Sequence, residues 1–260
     1  MNPIRSTQMK LGRALARFLS DVPVGQSSSP PTPRDRLLAA LLPGDVLLVE
    51  GRSRISSAIK YLTQSTWSHA ALYVGALGEG RLASPDHCFV EADLVDGVRS
   101  IGIGEYDGLH TRICLPVDLT GAETQAVIDY AVGRIGHRYD LRNVFDLARY
   151  LLPNPPIPAR FRRRMIALGS GDPTRAICST LIAQAFEAIN YPVLPHVDYL
   201  PAPTPDCHVC VEEVLRVRHH TLFAPRDFDV SPYFRLVKPT IDAGFDFRTL
   251  HWNIPAIAAE

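Results

Sequence analysis

The sequence predicts an α+β fold. Strand-like segments cluster first, between residues 46 and 116, and helical ones follow from residue 120. No segment repeats another, so a solenoid or propeller is not indicated. The 46% hydrophobic content is that of a globular chain able to bury a real core.

The elements follow in order. Pro43-Gly44-Asp45 makes a turn, and Val46–Glu50 reads as a buried strand. Ile55, Ile59 and Leu62 recur at helical spacing. His69–Val74 is an apolar strand with a histidine at its mouth, "HCFVEAD" and "GVRSIGI" are two more, and "TRICLPV" is a fourth that ends at Pro116. Thr120 with Glu123 three residues on is a capping-box signature, opening a helix that runs to about Arg134. A further helix is expected over Leu141–Leu151, ended by Pro153. "CSTLIAQAFEAIN" is a strong helix, with Leu181, Ile182, Ala185, Phe186 and Ile189 as its apolar stripe. "PYFRLVKP" reads as one last strand.

Three regions are expected: residues 1–35 as a basic helix and Ser/Pro linker, 36–240 as the main domain, and 241–260 as a tail. The leader carries basic residues but no continuous apolar core of the ~7–15 residues a signal peptide needs. Its residues 8–20 read first as a leader helix, with membrane contact as the alternative. Lys plus Arg and Asp plus Glu number 27 each, so nothing argues for nucleic acid or for an acidic partner. Five scattered cysteines do not form a secreted disulfide framework, and a reducing, cytoplasmic setting is the expectation, with membrane-peripheral contact as the variant.

Cys178 stands where "TRAIC" passes into the strong helix. The free N–H groups and partial positive charge of a helix N-terminus favour a thiolate and can hold an oxyanion. A small buried helix residue is the plainer reading of the same position. A cysteine nucleophile needs a base, usually an imidazole from elsewhere in the chain, and that imidazole needs an acceptor to fix its tautomer. His69 and Glu91 can serve if their strands are neighbours; alone, each is equally a strand-end residue.

Together, "PGDVLLVEG", "SHAALYVG", "FVEADLVDGV", "ICSTLIAQAF" and "PRDF" resemble the NlpC-type papain-like cysteine hydrolases. The order His69, Glu91, Cys178 resembles their circularly permuted, YiiX-like branch, which includes lecithin retinol acyltransferase relatives; the likeness spans about residues 40–238. The resemblance implies a permuted papain-like fold, an antiparallel sheet or half-barrel packed against helices. It implies Cys178 as nucleophile, His69 as base and Glu91 as the group orienting His69. It also implies Tyr139, in "GHRYD", as an oxyanion donor or pocket residue. The reaction so implied is hydrolysis, or acyl transfer, at an amide or ester of a peptide or lipid-linked substrate, with no metal or organic cofactor.

Other signals are weaker. Cys207 and Cys210 have CxxC spacing, but zinc sites want four well-spaced ligands. Arg160, Arg162, Arg163 and Arg164 read as a solvated charge run, with anionic or membrane-surface recognition as the alternative. The rival functions are a non-catalytic binding module that keeps the fold and a zinc protein built on Cys207 and Cys210.

Overall fold

The computed structural model describes residues 30–78, 80–137, 177–201, 210–219 and 222–249. The expected helices at residues 8–20 and Leu141–Leu151, together with Tyr139, Arg160–Arg164 and Cys207, lie outside the described residues.

The chain enters through α1 (Arg34–Ala40) and β1 (Val46–Glu50), then α2 (Arg54–Thr63) and β2 (His69–Tyr73). A meander follows: β3 (His87–Asp93), β4 (Gly97–Gly102), a 3₁₀ turn (Ile103–Tyr106) and β5 (His110–Pro116). Then come α3 (Gly121–Val132), α4 (Ile177–Glu187), a hairpin of β6 (His196–Pro201) and β7 (Val211–Arg216), α5 (Pro225–Val230), β8 (Phe234–Val237) and α6 (Pro239–Asp242).

Six strands form one sheet in the order β4-β3-β2-β1-β5-β8, every pair antiparallel. β1 is central and buried along its whole length, which is why it reads as an unbroken apolar run. Alternation divides its side chains. Val46 and Leu48 join Leu72 and Val90 on the face covered by α3 and α4, where Ile128, Leu181 and Phe186 pack. Leu47 and Val49 join Ala71, Phe89 and Ile113 on the opposite face, closed by Leu37 of α1 and by Tyr106.

Local chemistry fixes several boundaries. Ser53 caps α2 by accepting from the Ser56 N–H at 3.1 Å. The capping box at Thr120 and Glu123 forms in both directions, as the sequence predicts. Gly44 (φ +95°) turns the chain so that its N–H donates to the Tyr73 carbonyl at 2.8 Å, locking β1 against β2. α1, the β6–β7 hairpin, α5, α6 and the 3₁₀ turns were not foreseen. α1 is short and follows Pro33 directly, so the linker composition hides it. The hairpin flanks a proline-containing stretch, and β6 itself ends on a proline. α5, in "PRDFDV", starts on a proline and is too short to show a period. The expected tail from residue 241 holds the end of α6 and a 3₁₀ turn, Phe247–Thr249. Among the described residues no helix is long and apolar enough to cross a membrane.

Phe186 of α4 is fully buried and meets Phe234 edge-on at 5.3 Å and Tyr191 at 5.4 Å. Phe186→Ala should cost about 3–5 kcal/mol through the cavity it leaves. A lower urea midpoint at unchanged m-value checks this.

Candidate active site

The site begins with α4. Its stripe of Leu181, Ile182, Ala185 and Phe186 is fully buried against the sheet. That packing holds the first turn of the helix, and Cys178 in it, over β2 and β3. Cys178 is 4% exposed.

β2 and β3 are paired neighbours, with Ala71 opposite Glu91 and Tyr73 opposite Phe89. By alternation His69 shares the Glu91 face, one diagonal step away. The ring Nε2–H donates to Glu91 Oε2 at 2.6 Å. This leaves Nδ1 as the ring nitrogen for the thiol, and His69 and Cys178 lie close enough for each to shift the other's titration. The His69 side chain keeps 25% of its exposure, so the site opens at this end of the sheet.

The strand ladder supplies one more group. The pair Tyr73 N–H to Asp45 O, with Gly44 N–H to Tyr73 O, turns the Tyr73 amide towards β1. Amides alternate along an antiparallel strand, so that of Ala70 points towards β3. β2 pairs with β3 over Ala71–Tyr73 only, and the Ala70 N–H, beyond that pairing, lies near enough to the Cys178 sulfur to favour its thiolate.

The charges follow. Desolvation, the largest single effect, raises the Cys178 pKa, yet the His69 imidazolium, the Ala70 N–H and the Ser179 hydroxyl together bring it below the ordinary 9.0. Desolvation likewise opposes a charged His69, but Glu91 and the thiolate hold its pKa well above 6.5. Both shifts favour thiolate with imidazolium over the neutral pair. Burial instead raises the thiol pKa of Cys88 and Cys114, leaving them poor nucleophiles.

Two residues of the site were missed from sequence. Tyr106 O–H donates to Glu91 Oε2 at 2.7 Å, and Arg99 places Nε and a terminal NH2 on Oε1, both at 2.9 Å. Four donors thus meet one carboxylate that is 3% exposed. Burial works to raise its pKa, but His69, Arg99 and Tyr106 lower it from 4.5 to about 2. Burial beside Glu91 keeps the Tyr106 phenol protonated as a donor. A signal for Arg99 was present. The turn after β3 carries "DG", and Asp93 Oδ1 accepts from Val95 and Asp96 N–H while Gly97 takes φ +80°. That turn sets the register in which Glu91 faces Arg99. Tyr106 arrives from a 3₁₀ turn beyond β4 and had no local signal.

Two further histidines, and Cys210, have other partners. His87 pairs with the Ser100 hydroxyl at 2.8 Å, and the His137 carbonyl accepts from Val98 N–H. Cys210 is disulfide-bonded, a state in which its sulfur is not a zinc thiolate. Among the described residues no group of His, Cys, Asp and Glu is arranged to hold a metal.

A thiol at a helix N-terminus, an imidazole from a neighbouring strand and a buried polar group behind it form the kind of arrangement found in papain-like cysteine hydrolases, here with a carboxylate as the third member. Comparison with known proteins gives the branch: residues 40–150 match the Peptidase_C92 family, the permuted papain-like amidases of the YaeF/YiiX type. His69 and Glu91 fall inside the matched span, and Cys178 lies beyond it. The α+β architecture is consistent with the permuted papain-like fold, and the match supports a papain-like cysteine hydrolase. No curated protein matches the chain. A solved structure, the metalloprotein yiiX from Escherichia coli O157:H7, is similar at 15% identity and a TM-score of 0.42, over 75% of this chain and 95% of that one.

Glu91→Gln removes the charge that holds His69 protonated, so the Cys178 pKa rises with the loss of its imidazolium partner. The pH profile of iodoacetamide labelling at Cys178 should shift to alkaline pH by about one unit or more. Labelling near pH 6, followed by peptide mapping, checks it. The same carboxylate also makes stability pH-dependent. Its folded pKa of about 2 lies below the ordinary 4.5, so its contribution is complete above pH 4.5 and is lost as pH falls towards 2. The contribution is on the order of 3 kcal/mol, and urea midpoints against pH should fall more steeply over that window in the native protein than in Glu91→Gln.

Proposed function

We propose that the chain cleaves an amide or ester through an acyl-thioester on Cys178, with His69 as acid and base and Glu91 as the residue that positions His69. The observation that carries the reading is the contact of thiol, imidazole and buried carboxylate at the N-terminus of α4. The Cys178 thiolate attacks the carbonyl carbon, a C–S bond forms and charge moves to the carbonyl oxygen. That oxygen is met by the Cys178 backbone N–H, one of the first-turn amides with no partner inside the helix. Tyr139 enters as a second donor through the family resemblance alone.

His69 gives its Nδ1 proton to the leaving nitrogen or oxygen as that bond breaks, and so becomes neutral. It then takes a proton from water, whose oxygen attacks the thioester. Acid is released, the thiolate returns, and the imidazolium is restored. If an amine or alcohol takes the place of water, the same steps give acyl transfer. The substrate class proposed is a peptide or a lipid-linked acyl compound.

The alternative is a binding module with the same fold. It predicts that Cys178→Ala leaves ligand binding intact and that the native chain forms no adduct. The hydrolase reading predicts that 4-nitrophenyl butyrate acylates the native chain, that hydroxylamine removes the adduct seen by intact mass, and that Cys178→Ala lowers turnover by about 10³-fold or more. Adduct-free protein with no burst, alongside unchanged turnover in Cys178→Ala, would overturn it.

A further inference from the structure

Beside the catalytic groups, at the same end of the sheet, lies a polar cavity of about 400 Å³ between the loop that leads into β2, the start of β5, and α5. His110 pairs with Glu50 where the neighbouring Val49 pairs with His69. His110 is therefore one strand position out of phase with His69 and projects from the face that α4 covers, with β5 two strand spacings, about 10 Å, from β2.

The cavity wall is held by a rigid set of contacts. Trp67 is 2% exposed, and its indole N–H donates to Asp229 Oδ2 at 3.1 Å. His110 stacks on the indole at 5.2 Å, and the Arg112 guanidinium lies 4.9 Å from its centre. Arg112 also pairs with Asp229 Oδ1 at 2.6 Å. Both oxygens of Asp229 are thus engaged, and the charge of Arg112 is answered.

Arg226 is the exception. One of its nitrogens donates to the Thr63 carbonyl at 2.7 Å, and among the described residues no carboxylate pairs with it. A part-buried guanidinium with one neutral partner, on the wall of a polar cavity, keeps further donors in a planar fork suited to carboxylate or phosphate. Two guanidinium groups against one carboxylate leave the cavity cationic, and the half-buried His110 ring, backed by Trp67, offers a flat face for the stem that bears the anion.

We infer that this cavity is the anion-recognition subsite of the enzyme: it takes a carboxylate or phosphoryl group of the substrate, bound by Arg226, while the scissile amide or ester lies at Cys178. The inference rests on the hydrolase reading for its role in turnover, but binding of the anion does not depend on it.

The test uses the full chain with Trp252→Phe, which leaves Trp67 as the sole tryptophan. At constant ionic strength, succinate and inorganic phosphate are titrated separately while Trp67 emission is read. A saturating change with succinate assigns a carboxylate, and one with phosphate assigns a phosphoryl group. Arg226→Gln should weaken that titration about tenfold, with Arg226→Lys restoring part of it. Asp229→Asn, which removes the negative charge but keeps an oxygen for the indole, should tighten it. In turnover, the ratio of kcat/KM for 4-nitrophenyl hemisuccinate over 4-nitrophenyl butyrate should fall about tenfold in Arg226→Gln. Emission indifferent to both anions, or a titration unchanged in Arg226→Gln, overturns the site. If Arg226→Gln does not fold, an unchanged or weaker titration in Asp229→Asn overturns it instead. If the native chain turns over neither ester yet binds an anion in an Arg226-dependent manner, the subsite stands and the hydrolase reading falls.

Discussion

Everything at the site depends on one buried negative charge. A carboxylate as enclosed as Glu91 is costly to ionise unless donors replace the water it has lost. Here a guanidinium and a phenol occupy the positions that water would take, and the imidazole completes the set. The two oxygens offer about four lone-pair sites, and four donor contacts fill them. The charge is therefore fixed in place, and it acts outwards along one line. It stabilises the imidazolium, and the imidazolium stabilises the thiolate. Remove either neighbour of Glu91 on the non-catalytic side and the first link loosens before the cysteine is touched.

The sheet exists in the register that makes this possible. A one-residue slip between β2 and β3 would send Glu91 to the face covered by α4 and leave His69 facing a hydrophobic wall. The register is held at both ends: by the "DG" turn that sets β3 against β4, and by the Gly44 and Asp45 backbone pair that sets β1 against β2. Apolar runs and strand periodicity made the six strands of the sheet legible, and the capping box made α3 legible, because these are local signals. The meeting of Cys178 with His69 is not local: it requires α4 to lie across β2. The amphipathic stripe predicts only that the helix is buried, not against which strands. The family resemblance supplied that pairing in advance, and the register and the apolar stripe explain it physically.

What escaped the sequence did so for two reasons. Tyr106 lies fifteen residues from Glu91 along the chain and reaches it through a 3₁₀ turn that has no period to detect. Arg99 is different. It could have been found by counting outwards from the turn to the residue opposite Glu91, where an opposite charge on the same face is the expected cross-strand partner. α1, α5 and the β6–β7 hairpin were hidden by proline, which marks a helix start or a strand edge as readily as a loop.

The position of the histidine now has a physical reason. A residue in the middle of β2 would have its backbone paired on both sides and its ring enclosed in the core. At the mouth of the strand, pairing with β1 continues and fixes the backbone, while pairing with β3 has stopped. That half-paired step gives three things together. The ring stays partly open to substrate and water, as proton exchange requires. Its inner nitrogen still reaches the buried carboxylate. The next amide, Ala70 N–H, has no strand partner and is available to the sulfur. The ladder's end thus brings an imidazole and a backbone N–H without a β3 partner to the side of one sulfur, and both favour its thiolate.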